Sequence, residues 1–264
     1  MTADWSRRAA WLGGIAGLLL ALALFAPARW LADGVTAATA GQVQLVNARG
    51  TLWQGRADLL FTGGAGSRSQ TALPEGLAWR LRPTLAAGLP ALALALSAPC
   101  CTSAPLTATV VPRWRGVQLS LAAFSSRWPA ELLSGLGTPW NTLRMEGQLA
   151  LQSSGLGLRV DGGRTRLQGE LTVDALDIAS RLSSLRPLGS YRLALRAAPD
   201  GSSATLDLST LRGDLLLQGS GQWIGGRLRF RGEAQAAAGR ELALTNLLNI
   251  VGQRQGTRSV FSVG

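Results

Sequence analysis

Residues 143–178 read LRMEGQLALQSSGLGLRVDGGRTRLQGELTVDALDI, and this segment is the clearest indication of the fold class. Polar and apolar side chains alternate along 143–152, 155–160 and 164–178, as they do in strands that bury one face. The sequence DGG at 161–163 is a turn signal that reverses the chain between the last two segments. The stretch therefore predicts neighbouring antiparallel strands.

The same pattern continues on both sides of this stretch. Short alternating or apolar segments bounded by Gly, Pro or Ser predict strands, and they lie at 42–48, 57–61, 77–81, 91–97, 106–110, 116–121, 191–197, 204–211, 214–223, 227–235 and 257–263. Helices are predicted at 128–135 and 240–251, with one or two helical turns at 178–185. Strands thus dominate the chain after residue 42.

Glycine recurs in similar surroundings in the second half of the chain, at Gly147, Gly169, Gly219 and Gly232. The irregular spacing argues against a solenoid, whereas glycines at matching places in neighbouring strands would let a long sheet bend. The predicted fold class is all-β with minor helix. We expect a curved antiparallel β-meander, shaped like a trough, with an apolar inner face, an Arg-rich outer face and short capping helices.

The N-terminal segment 9–28 (AAWLGGIAGLLLALALFAPA) contains no charge. At about 1.5 Å per residue it is long enough to cross a bilayer as one helix. Arg7 and Arg8 precede it, which places the N-terminus in the cytoplasm by the positive-inside rule. The prediction is a single-pass protein of a bacterial inner membrane, with a cytoplasmic tail at 1–8, a transmembrane helix at 9–28 and a periplasmic β-rich domain at 29–264. The small residues at 26–28 leave a cleaved signal peptide open as the alternative.

The charge of the chain comes from arginine alone. All 26 basic residues are arginines against 15 acidic residues, and neither His nor Lys occurs. Without His or Lys, the usual catalytic triads, Ser-Lys pairs and His-containing zinc sites are excluded, and no phosphate-binding loop is present. The sequence predicts no enzyme, no cofactor and no metal. The arginines are dispersed along the strands, which disfavours nucleic-acid binding and leaves an anionic membrane or an acidic partner open.

Cys100 and Cys101 are adjacent and are the only cysteines. In an oxidising compartment they predict a vicinal disulfide, with pairing to another chain and a redox role as the alternatives. Among the tryptophans, Trp53, Trp114 and Trp223 are candidate partner or groove contacts, although packing within the sheet is the commoner use of this residue.

Asp174 and Asp177 are the two carboxylates closest to each other in the sequence and are therefore a candidate catalytic pair. They are three residues apart in an alternating segment, so strict alternation would place them on opposite faces of the sheet. That arrangement disfavours a catalytic pair.

Three segments together resemble protein N of the bacterial type II secretion system. They are GTLWQG at 50–55, GSGQW at 219–223 followed by GRLRFRG at 226–232, and LLNIVG at 247–252 with Arg258. The layout of one N-terminal span before a β-rich domain is similar as well. The resemblance implies an accessory, non-enzymatic inner-membrane subunit whose partners are other type II secretion subunits.

The resulting prediction is a periplasmic scaffold that binds other secretion subunits through its β-domain. The alternative is a membrane-tethered β-groove that binds or transfers lipid, because the architecture is also similar to the AsmA-like group. The two are distinguished by whether secretion subunits or phospholipids co-purify with the protein.

Overall fold

The computed structural model describes residues 11–264 except 12, 15, 16, 19, 23, 65, 66 and 68. The predicted tail 1–8, with Arg7 and Arg8, lies outside the described residues. The described residues from 11 to 24 are helical. Within the described part of the chain, none of the helices combines the length and the apolarity that a bilayer crossing requires. The transmembrane helix at 9–28 therefore stays a prediction.

The described residues after 42 form a sheet of sixteen antiparallel strands. The strands are β1 Val43–Gly50, β2 Gln54–Thr62, β3 Gln70–Ala72, β4 Leu77–Ala86, β5 Leu89–Ser97, β6 Leu106–Arg113, β7 Gly116–Leu121, β8 Phe124–Pro129, β9 Met145–Asp161, β10 Arg164–Ser180, β11 Gly189–Ala197, β12 Ser203–Gly213, β13 Leu215–Ile224, β14 Arg227–Ala236, β15 Gln253–Gln255 and β16 Arg258–Val263. The helices are α1 Ala28–Ala38, a 3-10 helix Ala130–Leu136, α2 Trp140–Leu143 and α3 Glu241–Val251.

The strand order is that of an open meander, β1-β2-β4-β5-β6-β7-β9-β10-β11-β12-β13-β14-β16-β15, with β3 added beside β2. Strands β7 and β8 act as one interrupted strand, because both pair with β9 in the same register. The all-β class, the antiparallel meander and the short helices are confirmed. The trough-like curvature stays a prediction.

Alternate turns of a meander lie at the same end of the sheet. The turns β1–β2, β4–β5, β6–β7, β9–β10, β11–β12 and β13–β14 lie at one end, which we call the turn end. The connections that carry the 3-10 helix, α2 and α3 lie at the opposite end, the helix end. Residues before α1 approach the turn end, since Leu52 N donates a hydrogen bond to Ala26 O (2.7 Å) and Pro27 forms a bridge with Thr51.

Three local predictions need correction. The segments predicted at 143–152 and 155–160 are the single strand β9, because a bulge opposite Glu170 and Leu171 continues the strand where a break was expected. The predicted helical turns at 178–185 are wrong. The first residues of that segment complete β10, and Ser180 then turns the chain by accepting a hydrogen bond from Leu182 N (3.2 Å). The helix predicted at 128–135 begins only at Ala130 and is a 3-10 helix.

Two apolar clusters lie on the sheet. The first joins α1 and the 3-10 helix to β1, β2 and β4 through Ala32, Leu45, Leu59, Trp79 and Leu132. The second joins α3 to β10, β11, β13 and β14 through Ile178, Tyr191, Leu215, Leu244 and Leu248. The C-terminal helix predicted from the sequence thus packs its leucines on the sheet. Helix α1 was not predicted.

Side chains alternate across the sheet between an apolar and a polar face. Val173, Leu193 and Leu208 are cross-strand neighbours on the apolar face. The neighbouring residues Asp174, Arg192 and Ser209 are cross-strand neighbours on the polar face. The two clusters bury part of the apolar face, whereas Val173 and Leu193 lie outside them and are half-buried. The charged side chains of the polar face and the turns at the sheet ends are accessible for contacts with other molecules.

Candidate functional site

The segments that carry the family resemblance explain how the two ends of the sheet are packed. Gly55, at the end of GTLWQG, lies against the buried ring of Trp79, which leaves no room for a Cβ. The Trp79 indole donates a hydrogen bond to Leu52 O (3.1 Å) and so fixes the β1–β2 turn. This turn also holds the residues that precede α1. Its role is therefore to join the N-terminal segment to the sheet.

The other two segments pack the C-terminal half. Gly219 faces Gly232 across β13 and β14, and the rings of Phe230 and Phe261 lie over these glycines with centroids 6.2 Å apart. Leu247 and Leu248 of α3 are buried. The residues of these motifs thus support packing, and none of them forms a reactive group.

The three candidate tryptophans lie towards the turn end, on different hairpins. Trp53 is half-buried in the β1–β2 turn, where its carbonyl oxygen accepts a hydrogen bond from Leu81 N (2.7 Å). Trp223 is half-buried on β13, opposite Ala204 and Leu228. Trp114, in the β6–β7 turn, is 100% exposed. Their role as partner contacts stays a proposal, and Trp114 is the most accessible of the three.

Cys100 and Cys101 lie in the β5–β6 connection at the helix end, and the structure joins their sulfur atoms in a disulfide. Cys101 is buried, and its carbonyl oxygen accepts a hydrogen bond from Arg127 N (2.8 Å) of β8. The connection therefore covers the free edge of β8. Formation of this disulfide in the cell remains a prediction.

Asp174 and Asp177 lie on the same polar face, which corrects the prediction of opposite faces. A bulge between Ala175 and Ile178 shifts the alternation. The two carboxylates bind different guanidinium groups, Asp174 that of Arg192 and Asp177 that of Arg212. Both Asp174–Arg192 contacts measure 2.7 Å, and these hydrogen bonds hold the pKa of Asp174 below its ordinary value. Asp174 and Asp177 thus form two separate ion pairs that connect strands of the sheet, and they do not form a catalytic pair.

The Asp174–Arg192 ion pair gives a pH-dependent contribution to stability. Because the pKa of Asp174 is lowered in the folded state, this contribution is present above the ordinary value of 3.8 and is lost as the pH falls through the lowered value. We expect Asp174→Asn to cost less than about 1 kcal/mol near neutral pH, since the pair is partly exposed. Denaturant unfolding of both proteins should show the difference vanish in strong acid. A difference that does not change with pH would contradict this assignment.

Other titratable groups on the sheet are also held by structural contacts. Arg181 and Arg186 hydrogen-bond to Glu146 and lower its pKa. Burial, with a smaller effect of Asp214, raises the pKa of Tyr191 above its ordinary range, and its hydroxyl donates to Leu215 O (3.1 Å). Among the described residues, no group of three His, Cys, Asp or Glu side chains could hold a metal ion.

The arginines of the first half of the sheet lack such partners. Arg49 and Arg56 are directly opposite each other on β1 and β2, and Arg80 and Arg82 on β4 lie on the same face. We call these four the arginine patch. In the described part of the chain, no carboxylate lies within ion-pair distance of the patch, and all eight ion pairs lie between Glu146 and Arg258.

Like charges on directly opposed residues repel and destabilise a sheet. The Arg49–Arg56 arrangement is therefore unfavourable in the isolated domain and would be relieved by a carboxylate from another molecule. The surplus of arginine is visible in the sequence, whereas the patch is not, because the strand register decides that Arg49 lies opposite Arg56 and that β4 brings Arg80 and Arg82 to the same face. The available signal was that Arg49 and Arg56 lie in the short connection between two consecutive predicted strands, 42–48 and 57–61.

The comparisons with known proteins agree with the resemblance seen in the sequence. The model of the family described as type II secretion system (T2SS), protein N matches residues 41–261, which run from just before β1 into β16. A search of curated proteins and a search of solved structures find no match. The matched family is a secretion-system component and is not known as an enzyme. Since the match covers most of the chain, the protein belongs to the type II secretion system protein N family.

Proposed function

We propose that this protein is an accessory inner-membrane subunit of the type II secretion system that acts as a non-enzymatic scaffold. An N-terminal transmembrane helix would hold the β-domain in the periplasm, where it binds other secretion subunits. The family match over 41–261 carries this proposal, because it covers nearly all of the sheet. The comparisons give no support to the alternative of a lipid-carrying groove.

The surroundings of the N-terminal segment support the anchor. Its described residues Leu18, Leu20, Leu22, Leu24 and Phe25 are helical or adjoin the helix, and their side chains are exposed. Exposed contiguous apolar side chains are costly in water and are stable in a hydrocarbon environment. The segment joins the sheet at the turn end, so the membrane that it enters would lie on that side of the domain.

The arginine patch supports an acidic protein as the partner. Its four arginines are exposed and lie on the three neighbouring strands β1, β2 and β4. They have no carboxylate within ion-pair distance in the described chain. Charged groups of this kind steer association and select a partner of complementary charge. We therefore expect the secretion subunit that binds this domain to present Asp and Glu side chains.

Co-purification from solubilised membranes tests whether the protein binds other secretion subunits and whether the arginine patch contributes to that binding. We expect the tagged full-length chain to recover other secretion subunits, and Arg49→Glu with Arg56→Glu to lower that recovery several-fold. The matched control is Arg227→Glu with Arg229→Glu, which changes the same charge on β14 of the polar face. The control should leave recovery unchanged.

Deletion of the gene should also reduce secretion of folded periplasmic proteins by the same cells. Failure to recover any secretion subunit, together with unchanged secretion after deletion, would overturn the proposed function. Equal losses in the two charge variants would instead show that net charge, and no particular patch, governs the association.

A further inference from the structure

Two neighbouring turns at the turn end, β4–β5 and β6–β7, carry exposed apolar side chains. Leu85 is 73% exposed at the end of β4, Leu89 begins β5 and is also exposed, and Trp114 is fully exposed. These side chains belong to turns whose neighbours are polar or small, so the domain itself does not bury them. A tryptophan on a hairpin tip is the kind of side chain that prefers a membrane interface, since its ring is both apolar and able to donate a hydrogen bond.

Arginines surround these apolar tips. Arg115 follows Trp114, and Arg159 and Arg164 lie on the neighbouring β9–β10 hairpin, with Asp161 as the acidic residue of that turn. A hydrogen bond from Gly162 N to Arg115 O (3.1 Å) ties the two turns together. In the described structure, none of these three arginines is paired with a carboxylate. The turns therefore present one basic surface.

The position of the N-terminal segment identifies what this surface faces. Ala26 and Pro27 bond to Leu52 and Thr51 in the β1–β2 turn, so the chain leaves the sheet towards residue 25 at the turn end. From β2 the sheet order runs through β4, β5, β6 and β7 to β9, so the basic surface lies about five strand spacings away. At about 4.8 Å per strand this distance is near 24 Å. A membrane entered by the segment that precedes Ala26 would lie on the same side of the domain as that surface.

We propose that the turn end between β4 and β10 rests on the surface of the membrane that the N-terminal segment enters. Trp114, Leu85 and Leu89 lie in the interface, and Arg115, Arg159 and Arg164 contact the phosphates of anionic lipids. This inference rests on the anchor of the proposed function. It adds a second attachment, which fixes the orientation of the sheet and directs the helix end away from the bilayer.

Quenching of tryptophan fluorescence by brominated lipids tests the contact. The full-length chain is reconstituted in vesicles of phosphatidylethanolamine and phosphatidylglycerol, with or without bromine on the acyl chains. The emission of one tryptophan is obtained as the difference between the protein and a single-substitution variant. Trp114→Ser reports the turn end, Trp140→Ser reports the helix end as the matched control, and Trp11→Leu reports the N-terminal segment.

We expect brominated lipid to remove most of the emission of Trp114 and Trp11 and to leave that of Trp140 unchanged. Arg115→Glu with Arg164→Glu should reduce the quenching of Trp114 several-fold, whereas Arg144→Glu with Arg254→Glu at the helix end should not. Far-UV circular dichroism verifies that each variant is folded.

Three results would overturn the inference, and they have different consequences for the proposed function. If Trp11 is quenched and Trp114 is not, the anchor stands and the second attachment is wrong. If neither is quenched, the anchor fails as well. A Trp114 that is unquenched by lipid but shielded from aqueous quenchers by added secretion subunits would assign the turn end to a protein partner and would also overturn the membrane contact.

Discussion

Replacing Gly169 with alanine is expected to lower the free energy of unfolding by about 3 kcal/mol. Gly169 lies on β10 with a φ of +88°, a conformation that strains any residue with a Cβ. A Cβ at this position would also overlap the carbonyl oxygen of Gly155 on β9. Because this oxygen belongs to the backbone of the neighbouring strand, the two longest strands of the sheet would have to separate locally.

The matched control is Gly157→Ala on β9. A Cβ at Gly157 would lie 3.4 Å from Cβ of Gln168, an ordinary contact, and no positive φ is involved. We expect this variant to change the free energy of unfolding by less than about 1 kcal/mol. Denaturant unfolding of the full-length chain in detergent, followed by circular dichroism, measures both. Equal destabilisation of the two variants would show that alanine is disfavoured throughout these strands, and that Gly169 has no special role.

The second large effect is expected for Leu248→Ala in α3, at about 3 kcal/mol. Leu248 is 0% exposed, and together with Leu244 it fills the space between α3 and the strands that carry Leu215 and Ala234. Removing its isobutyl group loses the transfer free energy and leaves a cavity, because α3 is also fixed by the hydrogen bond from the Ser259 hydroxyl to Leu248 O. The helix therefore cannot move freely to fill the space.

Leu242→Ala provides the control within the same helix. Leu242 is 95% exposed, and its replacement keeps the helix propensity high while removing almost no packing. We expect a change of less than about 0.5 kcal/mol. Thermal unfolding of the two variants in the same detergent makes the comparison. A Leu248→Ala protein as stable as Leu242→Ala would mean that α3 does not hold the second cluster together.

Most of the fold could be predicted from the alternation of side chains and from the turn glycines. The strands at 116–121 and 191–197 were predicted within the bounds found, because one of their faces is apolar and the period of two is regular. Strand β8 was missed because FSSRWP has no clear alternation. It is extended because it continues β7 along the same partner, β9, and such pairing is not visible in a local pattern.

The residues of the candidate site were harder to predict. Trp114 was selected from the sequence, and its full exposure became evident only when the β6–β7 turn was placed. The arginines of the patch lack an acidic partner because of the residues that the strand register places opposite them. Arg49, for example, lies opposite Arg56 and not opposite a carboxylate. Asp177 was predicted on the face opposite to Asp174, but a one-residue bulge between Ala175 and Ile178 places both on the polar face. The arginine surplus in the sequence indicates binding to acidic groups. Which arginines lie together on the surface is decided by the strand register, which the sequence does not show.

The sequential order of the strands has a consequence for how the protein is made. From β1 to β14 each main strand pairs with one that precedes or follows it closely in the chain, so no early strand waits for a distant partner. A chain that crosses a membrane in extended form, beginning with the residues that follow its N-terminal segment, can therefore assemble this sheet progressively, hairpin by hairpin, as each segment emerges. The exception is the last step, in which β16 reaches back past α3 to β14. The docking of α3 on the second cluster and the pairing of β16 with β14 are therefore the last steps of such an assembly.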